Sequence, residues 1–165
     1  MMKKLILVCG PAGIGKSTFC RRYRESHPDE IVAVVSADDT RCEMLGGYDK
    51  FPKGGNMMPV YDKMCAKAKA LVAEHESVTV IFDTTNLTDK RRLFYMDRLG
   101  DVFDWFELIM LRLHDYSKCL ERNARRIGAR KVPEQVIRDM CDHYEDPTPE
   151  TIARFNVYKE IYVDD

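Results

Sequence analysis

Gly10-Pro11-Ala12-Gly13-Ile14-Gly15-Lys16-Ser17-Thr18 satisfies the spacing G-x-x-x-x-G-K-[ST]. Leu5 to Cys9 is an apolar run ahead of it, and Phe19-Cys20-Arg21-Arg22-Tyr23 can continue a helix behind it. A strand, a glycine-rich turn and a helix N-terminus together make an anion site. Glycines let backbone N–H groups turn inward, and the unpaired N–H groups and dipole of the helix favour phosphate. Lys16 can then reach the β- and γ-phosphates, and the Ser17 hydroxyl can ligate Mg²⁺. A nucleoside triphosphate is the expected ligand, cradled by Gly10, Ala12, Gly13, Ile14, Gly15, Lys16, Ser17 and Thr18.

Two further polar clusters, Ser36–Arg41 and Asp83–Asn86, directly follow apolar runs. Asp38 or Asp39 could accept a proton from an attacking hydroxyl, and Arg41 could clamp an anionic group on the acceptor. An aspartate there could equally cap a helix, so one of the pair is expected to cap while the other works. Asp83, ending a strand, would hold Mg²⁺ directly or through water. From Lys118 to Lys131, fourteen residues carry six cations and one acid. Helical spacing puts Arg122 and Arg126 on one stripe, opposite Leu120 and Ile127. Such a stripe is a solvated face in many proteins. Beside a phosphate cradle it reads instead as a basic lid, hinged near Gly128, that stabilises charge spreading over a transferring phosphoryl group.

The elements that must position these groups alternate in type. Lys3–Cys9, Ile31–Val35, Val78–Phe82, a segment within Phe103–Leu113, and Tyr158–Val163 read as strands. The first is a continuous apolar run, as in a parallel strand buried on both faces. Helices are expected from the loop to about Glu25, from Met57 to Glu76, from Thr88 (its cap) to Gly100, and from Asp115 onward. The Thr88 helix carries Leu93, Met96 and Leu99, and the Asp115 helix shares Leu120, Ala124 and Ile127 on one face. A last helix starts at Pro133, with Val136, Ile137, Met140, Cys141 and Tyr144 as its core face. Gly46-Gly47 and Gly54-Gly55 bracket a loop, expected to be mobile, with Tyr48, Lys50, Phe51 and Lys53. This is an α/β pattern: a doubly wound parallel sheet flanked by helices, with ligands at the carboxyl ends of its strands.

Composition narrows the partners. The 165 residues suit one domain, and 26 basic against 27 acidic residues leave no global field to draw in nucleic acid or membrane. A polyanion site must therefore be local. The six cysteines are scattered without a C-x-x-C pair, which predicts reduced thiols in a cytoplasmic protein rather than zinc. No stretch is long and apolar enough for a signal-peptide core or a membrane span.

GPAGIGKST, SADDTR, IFDTTNL and ERNARRIGARKVPEQVIRDM, in that order and spacing, resemble the 5′-hydroxyl polynucleotide kinase domain. That is the kinase half of bacteriophage polynucleotide kinase/phosphatase. The resemblance runs from Leu5 to about Tyr144. It implies a P-loop NTPase-type fold with a basic lid over about residues 116–132, and ATP with Mg²⁺ as donor. By position it implies Asp38 as general base, Arg41 on the acceptor's phosphate, and Lys16 and Ser17 on ATP and Mg²⁺. Arg126 becomes the lid arginine, with Arg122 beside it on the nucleotide. Asp83 matches the acid of the D-x-T-N step, and Asn86, closing that step, is placed at the acceptor. The lid is one residue longer here, which leaves Arg125 and Arg130 as competing candidates. No phosphatase domain is expected to follow Asp165, so 3′-phosphatase activity is not implied.

The expected activity is phosphorylation of the 5′ end of DNA or RNA. A P-loop kinase of a small acceptor (a nucleoside, sugar acid, antibiotic or sugar nucleotide) is the alternative, and a nucleotide-dependent binding module a third. A homo-oligomer is compatible with the sequence, which fixes no subunit number.

Overall fold

In the computed structural model, which describes residues 1–165, five strands form one parallel sheet. They are β1 (Lys3–Cys9), β2 (Val32–Ser36), β3 (Val78–Asp83), β4 (Trp105–Arg112) and β5 (Val157–Tyr162), in the order β2-β3-β1-β4-β5. Parallel neighbours require crossovers, and helices supply them. These are α1 (Lys16–Ser26), α2 (Ala37–Leu45), α3 (Met58–Glu74), α4 (Asp89–Leu99), α5 (Ser117–Ala124), α6 (Glu134–Asp142) and α7 (Pro149–Ile152). The doubly wound α/β reading therefore holds, with β5 one residue earlier and β2 one residue later than the sequence suggests.

The two-residue period of β1 sorts the core. Leu5, Leu7 and Cys9 face Val60, Met64 and Ala68 of α3 and Tyr95, Met96 and Leu99 of α4. Ile6 and Val8 face the other way, toward Cys20 of α1, Cys119 of α5 and Ile137 of α6. All of β1 from Leu5 onward is fully buried, and each such Leu or Ile contributes roughly 1.5–3 kcal/mol on leaving water. The winding direction reverses at β1, and a ligand crevice opens at such a switch point. Register makes the edge level, because Val8 pairs with Asp83, and Asp83 with Ser36.

Three local expectations are corrected. The buried face of α4 is Arg92, Tyr95, Met96 and Leu99, with Leu93 only partly buried. The helix opening near Asp115 stops at Ala124, so Ile127, expected in the core, is 92% exposed. Beyond that end, the side-chain amide of Asn123 bonds both backbone groups of Val132, and Gly128 takes a left-handed φ of 72°. The chain thus leaves the helix in a loop whose neck Asn123 closes. Val136, also expected in the core, is 40% exposed.

Arg92 is fully buried and donates to four acceptors. They are the carbonyls of Asn86 (2.9 Å), Leu87 (3.0 Å) and Glu145 (2.7 Å), and the Asp89 carboxylate (2.9 Å). It ties the turn after β3 to the chain after α6. Removing one member of a buried charged network typically costs about 3–5 kcal/mol. Arg92→Ala should therefore lower the urea midpoint by that equivalent with an unchanged m-value. A loss below about 1 kcal/mol would show that the turn holds without it.

Candidate active site

The glycine loop leaves β1 and enters α1 with the backbone its glycines permit. Gly13 has φ 86°, and a Cβ there would lie 2.7 Å from the Cys119 carbonyl oxygen, so no side chain fits. Gly15 precedes α1 at φ 113°, and α1 has neither a capping side chain nor an acid in its first turn. Ser36 and Thr88, by contrast, cap α2 and α4 with their hydroxyls. The first N–H groups of α1 are thus left for an anion. Lys16 curls back, donating from Nζ to the carbonyls of Gly10 (2.8 Å) and Pro11 (3.0 Å). Ser17 Oγ donates to Asp83 Oδ2 at 3.1 Å.

Ser36, not an aspartate, caps α2, accepting from the Asp39 N–H at 3.2 Å. The expectation that one aspartate caps is thereby corrected, and both stay free for other work in the first turn. Their partners differ. Asp38 lines the cavity and is paired with Arg41 Nη1 at 3.0 Å. Asp39 Oδ1 accepts from the Tyr48 hydroxyl at 2.7 Å and faces Arg130 Nη2 at 3.5 Å. Arg41 itself is 7% exposed. It also donates to the carbonyls of Lys50 (2.9 Å) and Tyr48 (2.7 Å), so it holds the Gly46–Gly55 loop in place.

A cavity of about 1400 Å³ joins these parts. Its walls include Ala12, Ile14, Lys16, Ser17, Thr18, Asp38, Arg41, Asp83, Arg122, Arg126 and Arg130. Arg122 lies on the glycine loop, donating to the carbonyls of Ile14 (2.6 Å) and Gly13 (3.3 Å). Arg126, past the end of α5, is exposed and reaches the Arg130 carbonyl at 3.4 Å. Arg130 stacks over the Tyr48 ring at 4.3 Å, so the lid touches the loop after α2. Arg125 is exposed and is not among the residues lining the cavity. Asn86 does not reach the cavity either. It is 1% exposed, with φ 47°, and its amide donates to the Val8 carbonyl at 3.0 Å, so it joins β3's turn to β1. Gly10 is likewise buried beneath the loop, its N–H on the Thr85 carbonyl at 2.9 Å.

Sequence reasoning missed Tyr48 and Phe51 as cavity residues and Arg92 as their counterpart below the turn. Helical spacing puts Arg92 on the face of Tyr95, Met96 and Leu99, but its charge hid that signal, since arginine is rarely buried without partners. The loop aromatics were visible as residues but not as neighbours of Arg41.

Burial pushes the Lys16 ammonium pKa down, opposed by the nearby charges of Asp83 and Asp38 and reinforced by Arg126. Burial likewise pushes Asp83 up, opposed by Lys16 and the Ser17 hydroxyl. Both shifts come chiefly from desolvation and are partly offset by the attraction between the two groups, which suits an edge that could hold a metal and an anion. Asp83 binds its proton more tightly folded than unfolded. Its contribution is therefore favourable below the unfolded value and is lost as pH rises through the folded one. Asp83→Asn should leave melting temperature nearly unchanged near pH 4 and raise it at pH 7 in nucleotide-free protein. A lower melting temperature at pH 7 would mean that the carboxylate is structural.

The geometry is that of a P-loop kinase-like fold, which implies a nucleotide site. A family model described as an AAA domain, AAA_33, matches residues 5–147. Among solved structures, the chain resembles Kti12 from Chaetomium thermophilum in complex with ADP-AlF3 (TM-score 0.67, 19% identity). That alignment covers 98% of this chain and 90% of that one. A gluconokinase from Sinorhizobium meliloti 1021 aligns at TM-score 0.63 and 16% identity, over 97% and 83%. A chain of the Pnkp1/Rnl/Hen1 RNA repair complex aligns at TM-score 0.69 and 19% identity, over 94% of this chain but 47% of that one. At these identities the structural likenesses speak for the fold, and the family match through residue 147 spans every site residue named above: the chain belongs to the AAA_33 family of P-loop proteins.

Proposed function

We propose that residues 1–165 act as one kinase domain that transfers the γ-phosphoryl group of ATP to the 5′-hydroxyl of a DNA or RNA strand. The observation that carries this reading is Asp38. Its carboxylate is exposed in the cavity that holds Lys16, close enough for its charge to act on that ammonium, and Arg41 grips it at 3.0 Å. A protein that only bound nucleotide would need no such base. In the transfer, the acceptor oxygen bonds to the γ-phosphorus and its proton passes to Asp38. The bond from that phosphorus to the β,γ-bridging oxygen breaks, and ADP leaves. Such transition states are loose, so positioning by Asp38 and charge from Lys16, Arg122 and Arg126 do most of the work.

Ser17 and Asp83 fit a Mg²⁺ ion, since they are a hydroxyl and a carboxylate 3.1 Å apart, both hard oxygen donors. When bound there, Mg²⁺ would neutralise phosphate charge. Arg126 and Arg130 both line the cavity, and Arg126 is our choice for the arginine on the transferring group because Arg130 is engaged with Asp39 and Tyr48. The likeness to the RNA repair chain is compatible with a nucleic-acid acceptor.

One observation favours the small-acceptor reading. Arg41, the implied phosphate clamp, is buried and already bonded to Asp38, Lys50 and Tyr48. The two readings part in a transfer assay with γ-labelled ATP, offering 5′-hydroxyl oligonucleotides, mononucleotides and gluconate side by side. Label on the oligonucleotide is expected, and label on gluconate alone would sink the polynucleotide reading. In the productive arm, Asp38→Asn should lower kcat by about 10²–10⁴-fold and Asp39→Asn far less. The reverse order would exchange the roles of the pair.

A further inference from the structure

Phe51 has no structural role that accounts for it. It belongs to neither core cluster, is 64% exposed, and yet lines the same cavity as Asp38 and Lys16. The Arg41 guanidinium lies 4.2 Å from the centroid of its ring. One face of the ring is thus covered by a cation, and the exposed area belongs to the other face and the edge. Arg41 is also fixed, because it is buried and donates to Asp38 and to the carbonyls of Tyr48 and Lys50, which flank the loop just before Phe51. The ring is therefore presented on a rigid support. Tyr48 offers no such surface, since Arg130 lies over its ring at 4.3 Å and its hydroxyl is spent on Asp39.

An apolar ring backed by a guanidinium, open on its other face, suits a flat, polarisable, uncharged partner, which describes a nucleobase better than a sugar. Single-stranded nucleic acids are held in this way, by stacking on aromatic side chains within a basic surface. Here Arg126, Arg130 and Lys131 line the same cavity from the lid. We propose that Phe51 is the stacking platform for the terminal base of the acceptor strand, so that the enzyme selects an acceptor with a base next to its 5′-hydroxyl. The inference rests on the polynucleotide reading. The link to catalysis is short: the guanidinium that supports the ring is the one that holds Asp38. A stacked terminal base is thereby fixed relative to the group that takes the hydroxyl proton.

The test compares a 5′-hydroxyl oligonucleotide with the same strand carrying an abasic tetrahydrofuran residue at its 5′ end. Phe51→Ala and Phe51→Trp are assayed beside the wild type. Loss of base–aromatic stacking should raise the acceptor KM about tenfold to a hundredfold, with kcat less affected. Phe51→Ala and the abasic end should each show that loss and should not add to one another, whereas Phe51→Trp should restore affinity. In a Trp105→Phe background, Trp at position 51 gives a fluorescence probe that does not depend on turnover, expected to be quenched by the normal strand and not by the abasic one. If oligonucleotides are phosphorylated but the abasic end costs nothing and the probe stays bright, the platform is wrong and the kinase reading stands. If no oligonucleotide is phosphorylated yet the probe is quenched, the base site stands and the acceptor reading falls. A probe that no oligonucleotide quenches, with no transfer to any of them, overturns both.

Discussion

The Lys16 ammonium is the charge on which the rest of this site depends. It is half-buried at the cavity wall, satisfied by two backbone carbonyls of its own loop rather than by a carboxylate in contact. Its nearest acids, Asp83 and Asp38, act on it through space from two different strand ends. A half-buried cation so placed carries a desolvation cost that the Asp83 and Asp38 charges only partly offset. A triphosphate would add anionic partners for this ammonium and offset the rest of that cost. The same logic explains why α1 has no capping side chain although α2 and α4 do. A cap there would compete with the ligand.

Holding that edge in place falls to groups lying beneath it. The Asn86 amide on Val8, the Gly10 N–H on Thr85, and Arg92 under the turn after β3 together lock the β1 and β3 ends to one another. None of them touches the cavity. They set the height at which Ser17 meets Asp83, and a ligand pair 3.1 Å apart tolerates little slip. A site assembled from loops needs such an undercarriage, because loop backbone carries few ladder bonds of its own.

Much of this was legible in the sequence. The glycine loop, the strand–helix alternation and the two acid clusters after strands are local patterns, and the parallel sheet placed them on one edge without further information. The rest depended on contacts between segments distant in sequence. Arg122 and Arg126 share a stripe by helical arithmetic, but α5 ends at Ala124, where Asn123 ties its end to Val132, so only Arg122 is helical. Periodicity placed Ile127 in the core because it cannot see a helix stop early, whereas Val136 is helical but lies in the exposed first turn of α6. Asn86 looked like a site residue since it closes a polar turn, yet its amide is needed inside. Arg41 was expected on an acceptor anion, and the anion it meets within the fold is Asp38.

Arg41 then raises a question of economy that bears on acceptor choice. Its Nε and both terminal nitrogens already donate within the protein, though a guanidinium has five N–H groups and two remain. If those two bound an acceptor phosphate, the side chain would hold Asp38, the loop and the substrate at once. Selection of the acceptor and orientation of the base would then be one physical event rather than two. If they do not, the arginine serves only to fix Asp38 and to present the Phe51 ring, and the acceptor is recognised by its base and by the lid cations. In either case Asp38 is not an independently placed carboxylate. Its orientation is set by a buried cation that also shapes the acceptor wall. Changes in the loop from Gly46 to Gly55 should therefore be felt at the proton-accepting group even when no loop residue touches the reacting atoms.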